Sequence, residues 1–274
     1  MKTALLTCTG GRPETFALAE IWISRQTVEP DFWVVVDDVD PPTELNMNQI
    51  LVRPEPLWAR GKGHTLNRNL VAGLEKIKEV GADLVMIVED DDWYSPEYIE
   101  RMREWFLGGE IQIAGERDTL YYHVGCRQWR QNWHPGHASL CSVSFHIDII
   151  DKIISIAESC RGTGIDFAIF RNPWPKHAIK LLESNLCVGI KGAPCFRLGI
   201  GSGHRRIPHS GVPDPDLSYL RILIGDDAEL YAPFFKPEDF QAPVSARREQ
   251  QPRQRRRMLQ GKALEIANAR RRRR

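Results

Sequence analysis

Apolar residues along the first hundred positions fall into two alternating patterns: short dense runs and longer one-sided stripes. Residues 3–8 (TALLTC), 32–36 (FWVVV) and 84–88 (LVMIV) are dense runs of strand length, the pattern of strands covered on both faces. Between them the spacing predicts helices. Pro13 suits a first helical position and opens an amphipathic stretch to about residue 26. Residues 65–80 place Leu66, Leu70, Leu74 and Ile77 on one face. A third helix, 96–106, starts at Ser95-Pro96, and residues 52–57 are extended because Pro54 and Pro56 forbid helix. Strand, helix, strand, helix, strand, helix is the order of a parallel sheet with crossover helices.

Beyond residue 106 the pattern becomes mixed. Strands are expected at 111–115, 119–124, 139–146, 177–182 and 187–190, and a helix at 147–158. A loop is expected between the second and third of these strands. It carries Arg127, Trp129, Arg130, Trp133, His134, Pro135 and His137, suited either to stacking on a sugar or base or to a packed Trp pair. Asp166 stands at the start of an apolar run within 162–170, and residues 199–211 are rich in Gly and His. The proline-punctuated stretch 212–240 is expected to wrap the surface.

The net charge of +1 conceals an asymmetry. Residues 247–274 carry eleven Arg and one Lys against two Glu, a net of +10, while residues 1–246 hold 25 basic and 34 acidic residues, a net of −9. The division expected is a domain over 1–240 and a basic, disordered tail over 241–274, with a short helix near 258–270. No apolar run approaches the roughly 20 residues of a membrane span. Six scattered cysteines without a CxxC pair suit reduced thiols in a cytoplasmic protein, or in the host cytoplasm if the source is viral, and argue against zinc.

The strand at 84–88 stops on four consecutive acids, Glu89, Asp90, Asp91 and Asp92. Carboxylates this close repel unless a cation or hydrogen-bond donors lie among them. Open α/β sheets bind ligands at the carboxyl ends of their strands. A hard ion such as Mg²⁺ or Mn²⁺, bridging to substrate phosphates, fits such a place, whereas an acidic turn capping the next helix is the plainer alternative. A second strand also ends on acids, Asp37 and Asp38, which suit either a ligand site or a turn.

In order, TCTGGRPETFALAEIWISRQ, VVVDDVDPP, GKGHTLNRNL and VEDDDWYSPEYIE resemble the inverting, metal-dependent nucleotide-sugar glycosyltransferases of GT-A fold, family 2 in particular, over roughly residues 3–210. The resemblance implies a Rossmann-like, mostly parallel sheet flanked by helices with a mixed acceptor-side half. It also implies a nucleotide-sugar donor, UDP-linked first, and Mn²⁺ or Mg²⁺. Carried over, Thr9, Arg12, Asp37 and Asp38 line base and ribose, and Arg68 faces the nucleotide. Arg68, Lys62 or the Arg205-Arg206 pair suits charge-assisted contacts to the diphosphate, and Asp90 is a further donor-binding candidate. Glu89 and Asp91 match the spaced acid pair, with Asp91 the leading metal ligand. Glu89 stands where the family usually has Asp, so the partner of Asp91 is Glu89, Asp90 or Asp92. His204 resembles the histidine that joins the metal, with His209 as runner-up and a backbone-bonded loop histidine as the alternative. Asp166 resembles the catalytic base of inverting members, with a helix N-cap as the alternative.

The acceptor is named by nothing in the body of the chain. An Arg-rich tail suits sequence-independent attachment to nucleic acid, which points to hydroxymethylated pyrimidines in DNA, as in phages that sugar-coat their genomes. A glycan or lipid-linked acceptor is the alternative within the same chemistry. Two other classes fit less well. A nucleotidyltransferase releases pyrophosphate and places its Gly-rich loop straight after the first strand, where this chain has only Thr9-Gly10-Gly11-Arg12. A non-catalytic nucleic-acid-binding protein has no need of all four acids and Asp166.

Overall fold

The computed structural model describes residues 1–59, 64–162, 164–194 and 211–236. The first half runs β1 (Thr3–Thr9), α1 (Pro13–Ser24), β2 (Phe32–Asp37), β3 (Ile50–Val52), α2 (Leu66–Val80), β4 (Leu84–Ile87), β5 (Trp93–Tyr94) and α3 (Tyr98–Glu104). The second half runs β6 (Ile113–Glu116), β7 (Asp118–His123), β8 (Gln128–Trp133), β9 (Ser144–His146), α4 (Ile150–Ser159), α5 (Ile165–Arg171), β10 (Ile179–Leu182), β11 (Cys187–Lys191), β12 (Val212–Pro213) and α6 (Ser218–Ile224).

Seven strands form the larger sheet in the order β10-β6-β9-β4-β1-β2-β3. Only β9 is antiparallel to its neighbours. Successive side chains of a strand point to opposite faces, and the central strands obey this strictly. Leu5, Val35 and Met86 pack with Phe16 and Trp22 of α1 and Met102 of α3. Ala4, Leu6, Val34, Val36, Val85 and Ile87 pack on the other side with Leu70, Leu74 and Ile77 of α2 and with α4 and α5. Burial on both faces is what the dense apolar runs encode. Helix α2 lies so close to the sheet that a methyl at Gly73 would overlap Leu6 and come within 2.8 Å of Val36 Cγ2.

The second sheet has five strands, β12-β8-β7-β11-β5. Here the structure departs from the expected pattern. Residues 127–137 are not simply a loop: Gln128–Trp133 form β8, paired with β7 in antiparallel register. Trp129 is buried in this hairpin and stacks on Tyr219 at 3.8 Å between ring centroids. The strand expected at 139–146 is a 3₁₀ turn, Leu140–Ser142, followed by three residues of β9.

The stretch after residue 212 does not merely wrap the surface. It forms α6 and a 3₁₀ helix, Gly225–Phe234, with Leu220, Leu223, Ile224, Ala228 and Tyr231 buried in the same apolar cluster as Trp22 and Trp93. Those positions recur at helical spacing, a signal the neighbouring prolines obscured. Asp227 fastens the segment, accepting from Trp93 Nε1 at 2.9 Å and pairing with Arg25 at 2.7 Å. A further tie is Glu116 at the end of β6. Its buried carboxylate accepts from Ser184 Oγ (2.6 Å) and from the backbone of Leu186 (2.7 Å) and Cys187 (3.2 Å), binding the larger sheet to the start of β11. Among the described residues, no helix is long and apolar enough to cross a membrane.

Candidate active site

The parallel register places Thr9 beside Asp37 at the carboxyl edge of the larger sheet. The acids after β4 reach the same edge, because β5 leaves them to pair with β11 through Val188↔Trp93 and Cys187↔Tyr94. Glu89–Asp92 therefore lie between two sheets, held from both sides. Thr9 donates its hydroxyl to Asp90 at 2.6 Å. Arg12 reaches back from the mouth of α1 to Asp90 (2.6 Å) and Asp91 (2.9 Å). From the opposite side, Lys191 Nζ lies 3.2 Å from Asp92 and 3.9 Å from Asp91, and Ile190 N–H donates to Asp92 at 2.7 Å. Tyr94 closes the floor: its hydroxyl accepts from Glu89 N–H and donates to the Cys141 carbonyl.

Two cations among four acids leave the cluster negatively charged and poorly hydrated. Burial pushes the Asp90 carboxyl up to about 7, against the pull of Arg12. Burial also raises Glu89, with Lys191 opposing, and raises Asp92 well above the usual carboxylate range. Burial disfavours the charge on Lys191, yet Asp91, Asp92 and Glu89 together hold it protonated well above the usual lysine range. Asp92 Oδ2 is buried without a hydrogen-bond partner. Carboxylate oxygens of Glu89 and Asp92 and the Cys141 sulfur lie within 4.8 Å of one another. Burial pushes the Cys141 thiol up to about 12, and two of the three atoms on offer are carboxylate oxygens, which suit a hard divalent cation. Glu89 and Asp92 offer oxygens suited to Mg²⁺ or Mn²⁺, whereas Asp91, engaged by Arg12 at 2.9 Å, is not part of that cluster.

These shifts have a measurable sign. An acid whose folded value is about 7 against an ordinary 3.8 holds more protons folded than unfolded between those values. Stability is then greatest at the acid end of that window and falls as pH rises through it. His134 and His64, both lowered by burial, oppose this. The melting temperature in EDTA is expected to drop between pH 5 and pH 8, with Mn²⁺ restoring it at pH 8. A flat or rising profile in EDTA shows that the acids stay ionised without a metal.

The remaining predicted residues are arranged differently. Asp37 accepts from the backbone N–H of Val39 (2.9 Å) and Thr43 (2.6 Å), so its carboxylate organises the turn after β2. Asp38, fully buried, accepts from Arg68 of α2 at 2.6 Å, and Arg68 also donates to the Pro56 carbonyl. Asp166 sits in the first turn of α5, and Gly164, not Asp166, is the N-cap residue. Its carboxylate accepts from Phe167 N–H at 2.8 Å. A polar chain leads from its surroundings to the Tyr121 hydroxyl. The charge of Asp166 acts on His134, which bonds Ser139, and Ser139 bonds the Tyr121 hydroxyl. Lys191 lies over the Tyr121 ring at 5.7 Å. Lys62, His204, Arg205, Arg206, His209 and the tail lie outside the described residues.

No protein-family model matches the chain, and no curated protein matches it by sequence. Solved structures do. The crystal structure of S. aureus TarS 1–349 superposes with a TM-score of 0.50 at 14% identity, over 69% of this chain and 61% of that one. TarS 1–349 in complex with UDP-GlcNAc gives 0.49 at 15% identity, over 70% and 59%. The mannosyltransferase PcManGT of Pyrobaculum calidifontis, in complex with GDP-Man and Mn²⁺, gives 0.46 at 12% identity, over 70% and 57%. The chain thus spans less than two thirds of the length of these structures.

The fold is GT-A.

Within the GT-A framework, Thr9, Arg12, Asp90, Asp91 and Asp92 converge at one edge, and Asp38 joins Arg68 beside it. Lys191 was not among the predicted residues. Its signal was present, since the apolar run CVGI ends on it much as the earlier strands end on acids. Tyr94, Ser139 and Tyr121 carried no such signal, because their roles depend on contacts between sheets.

Proposed function

We propose that this protein is a divalent-metal-dependent glycosyltransferase. It moves a sugar from a nucleoside diphosphate donor, UDP-linked first, to an acceptor hydroxyl with inversion, and the acceptor is a hydroxymethylated pyrimidine in DNA. The observation that carries this reading is the convergence of Asp90, Asp91 and Asp92 with Arg12 and Lys191 at the carboxyl edge of the sheet. Site placement at strand ends and charge placement for a diphosphate coincide there. Glu89, Asp91 and Asp92, with His204 as a further candidate ligand, would hold a divalent ion, whose Lewis acidity would offset charge on the leaving diphosphate. Arg12 orients Asp90 and Asp91 and carries a fixed positive charge beside them. Thr9, Asp37, Asp38 and Arg68 border the nucleoside side, and Lys62 the phosphates. Asp166 takes the acceptor proton as general base, and attack from its side inverts the anomeric carbon. The acceptor is inferred from the +10 stretch at 247–274.

The test is nucleoside diphosphate release with Mn²⁺, screening sugar donors against DNA with and without 5-hydroxymethylpyrimidines. Release that requires the modified DNA is the expected result. Slow donor hydrolysis indifferent to DNA keeps the transferase and removes this acceptor. No release with any donor, in the presence of any acceptor, removes the transferase.

A further inference from the structure

Among the described residues, Trp133 at 57% and Phe167 at 42% are the only exposed Trp, Tyr or Phe side chains. They come from different elements, the end of β8 and the first turn of α5, and the His134 and His137 rings lie between the two elements. His134, next to Trp133, packs on His137 at 4.2 Å between ring centroids, and His137 meets Phe167 edge-on at 5.5 Å. Each exposed ring carries a guanidinium: Arg117 lies over Trp133 at 4.8 Å and Arg171 over Phe167 at 4.0 Å. The His134 N–H bonds the Arg117 carbonyl at 2.8 Å, so this arrangement is tied to the sheet. Asp118, opposite Trp133 in the β7–β8 ladder, and Asp166 are the acids facing the patch.

We propose that this patch is a stacking platform for unpaired bases of a nucleic-acid strand, delivering a base to Asp166. The inference rests on the transferase reading only for the role given to Asp166. A flat aromatic face backed by a cation is what a base with its phosphate requires, and successive bases stack on such rings without sequence preference. Guanidinium groups on both rings bring positive charge that a neutral glycan does not require, which favours a polyanion as occupant. The +10 segment at 247–274 attracts the same chemistry. Trp129, buried against Tyr219, takes no part in the surface. An unpaired base also meets the steric requirement of chemistry on a base, which cannot proceed inside a duplex stack.

The probe is a fluorescein-labelled 20-mer of oligothymidylate, titrated with the full chain by anisotropy. The double variant Trp133→Ala/Phe167→Ala is expected to weaken binding on the order of 10- to 100-fold. Its salt dependence is expected to stay that of the parent, because the arginines remain. Arg117→Gln/Arg171→Gln is expected to shallow that salt dependence instead. Both aromatic rings are solvent-facing, so their removal is neutral for folding, which circular dichroism checks. An aromatic variant within twofold of the parent overturns the proposal. So does equal competition by duplex DNA, or loss of binding to a neutral dextran oligosaccharide with the oligothymidylate unaffected. Calorimetry of the parent with Mn²⁺ and UDP tests the donor site separately: no UDP binding with the oligothymidylate response intact supports the platform and removes a UDP-linked donor.

Discussion

Asp91→Asn is expected to lower nucleoside diphosphate release at least about 1,000-fold, with the melting temperature in EDTA unchanged or raised. The amide keeps the shape of the side chain but removes the charge that Arg12 engages at 2.9 Å and Lys191 at 3.9 Å. Lewis-acid stabilisation of a leaving oxyanion is worth several kcal/mol, and each ~1.4 kcal/mol is tenfold in rate. Relieving repulsion with Asp90, Asp92 and Glu89 works in favour of the folded state. Lys191→Met is expected to move metal binding the other way. Lys191 is the cluster's resident cation on the β11 side, so its removal takes the competing cation from Asp92 and leaves Asp91 with Arg12. Mn²⁺ affinity, read by electron paramagnetic resonance without donor, is expected to tighten about tenfold, or ~1.4 kcal/mol. Asp91→Asn retaining more than a tenth of the parent release places Asp91 outside the reacting site. Weaker Mn²⁺ binding by Lys191→Met makes Lys191 a residue that positions the acids instead of one that competes for them.

Arg68→Met is expected to destabilise the fold by roughly 2–3 kcal/mol, below the ~3–5 kcal/mol of a fully buried pair because Arg68 is partly exposed. The Asp38 carboxylate is fully buried, whereas a third of the Arg68 side chain meets solvent. Methionine covers the same apolar surface along α2, so the loss isolates the charge. The double variant Asp38→Asn/Arg68→Met is expected to recover at least half of it, since no buried charge is then left alone. Urea unfolding with an unchanged m-value is the measurement. A loss under about 0.5 kcal/mol, the range of ordinary surface changes, means the pair holds nothing together. Its place at the site edge then needs a ligand to explain it.

These variants bear on how the sequence encodes the site. Thr9, Arg12, Asp90, Asp91 and Asp92 were legible because each follows directly from a dense apolar strand, and strand ends of a parallel sheet share one edge. Asp37 was legible as a strand-end acid, but its use was not. The contacts from Val39 and Thr43 N–H depend on the path of a proline-rich loop that no periodicity describes. Trp129 and Trp133 looked equivalent as two aromatics in an Arg-rich stretch. One is core and the other exposed because β8 ends at Trp133, beyond the cover of Tyr219.

The sequence by itself determined the parallel α/β half and the acid-tipped strand edge. Both arise from local signals: apolar runs of fixed period, Pro at helix starts, and charge placed just after a strand. Only the tertiary structure decided which cations meet those acids, where residues 211–236 pack, and that Phe167, next to Asp166, meets the His134–His137 pair. Lys191 lies about a hundred positions from the acids it neutralises, and the pairing of β5 with β11 that brings them together comes from a two-residue strand. Contacts of that kind are set by packing of the whole chain, and the burial that shifts the charges of Asp90, Asp92 and Lys191 exists only once it is complete.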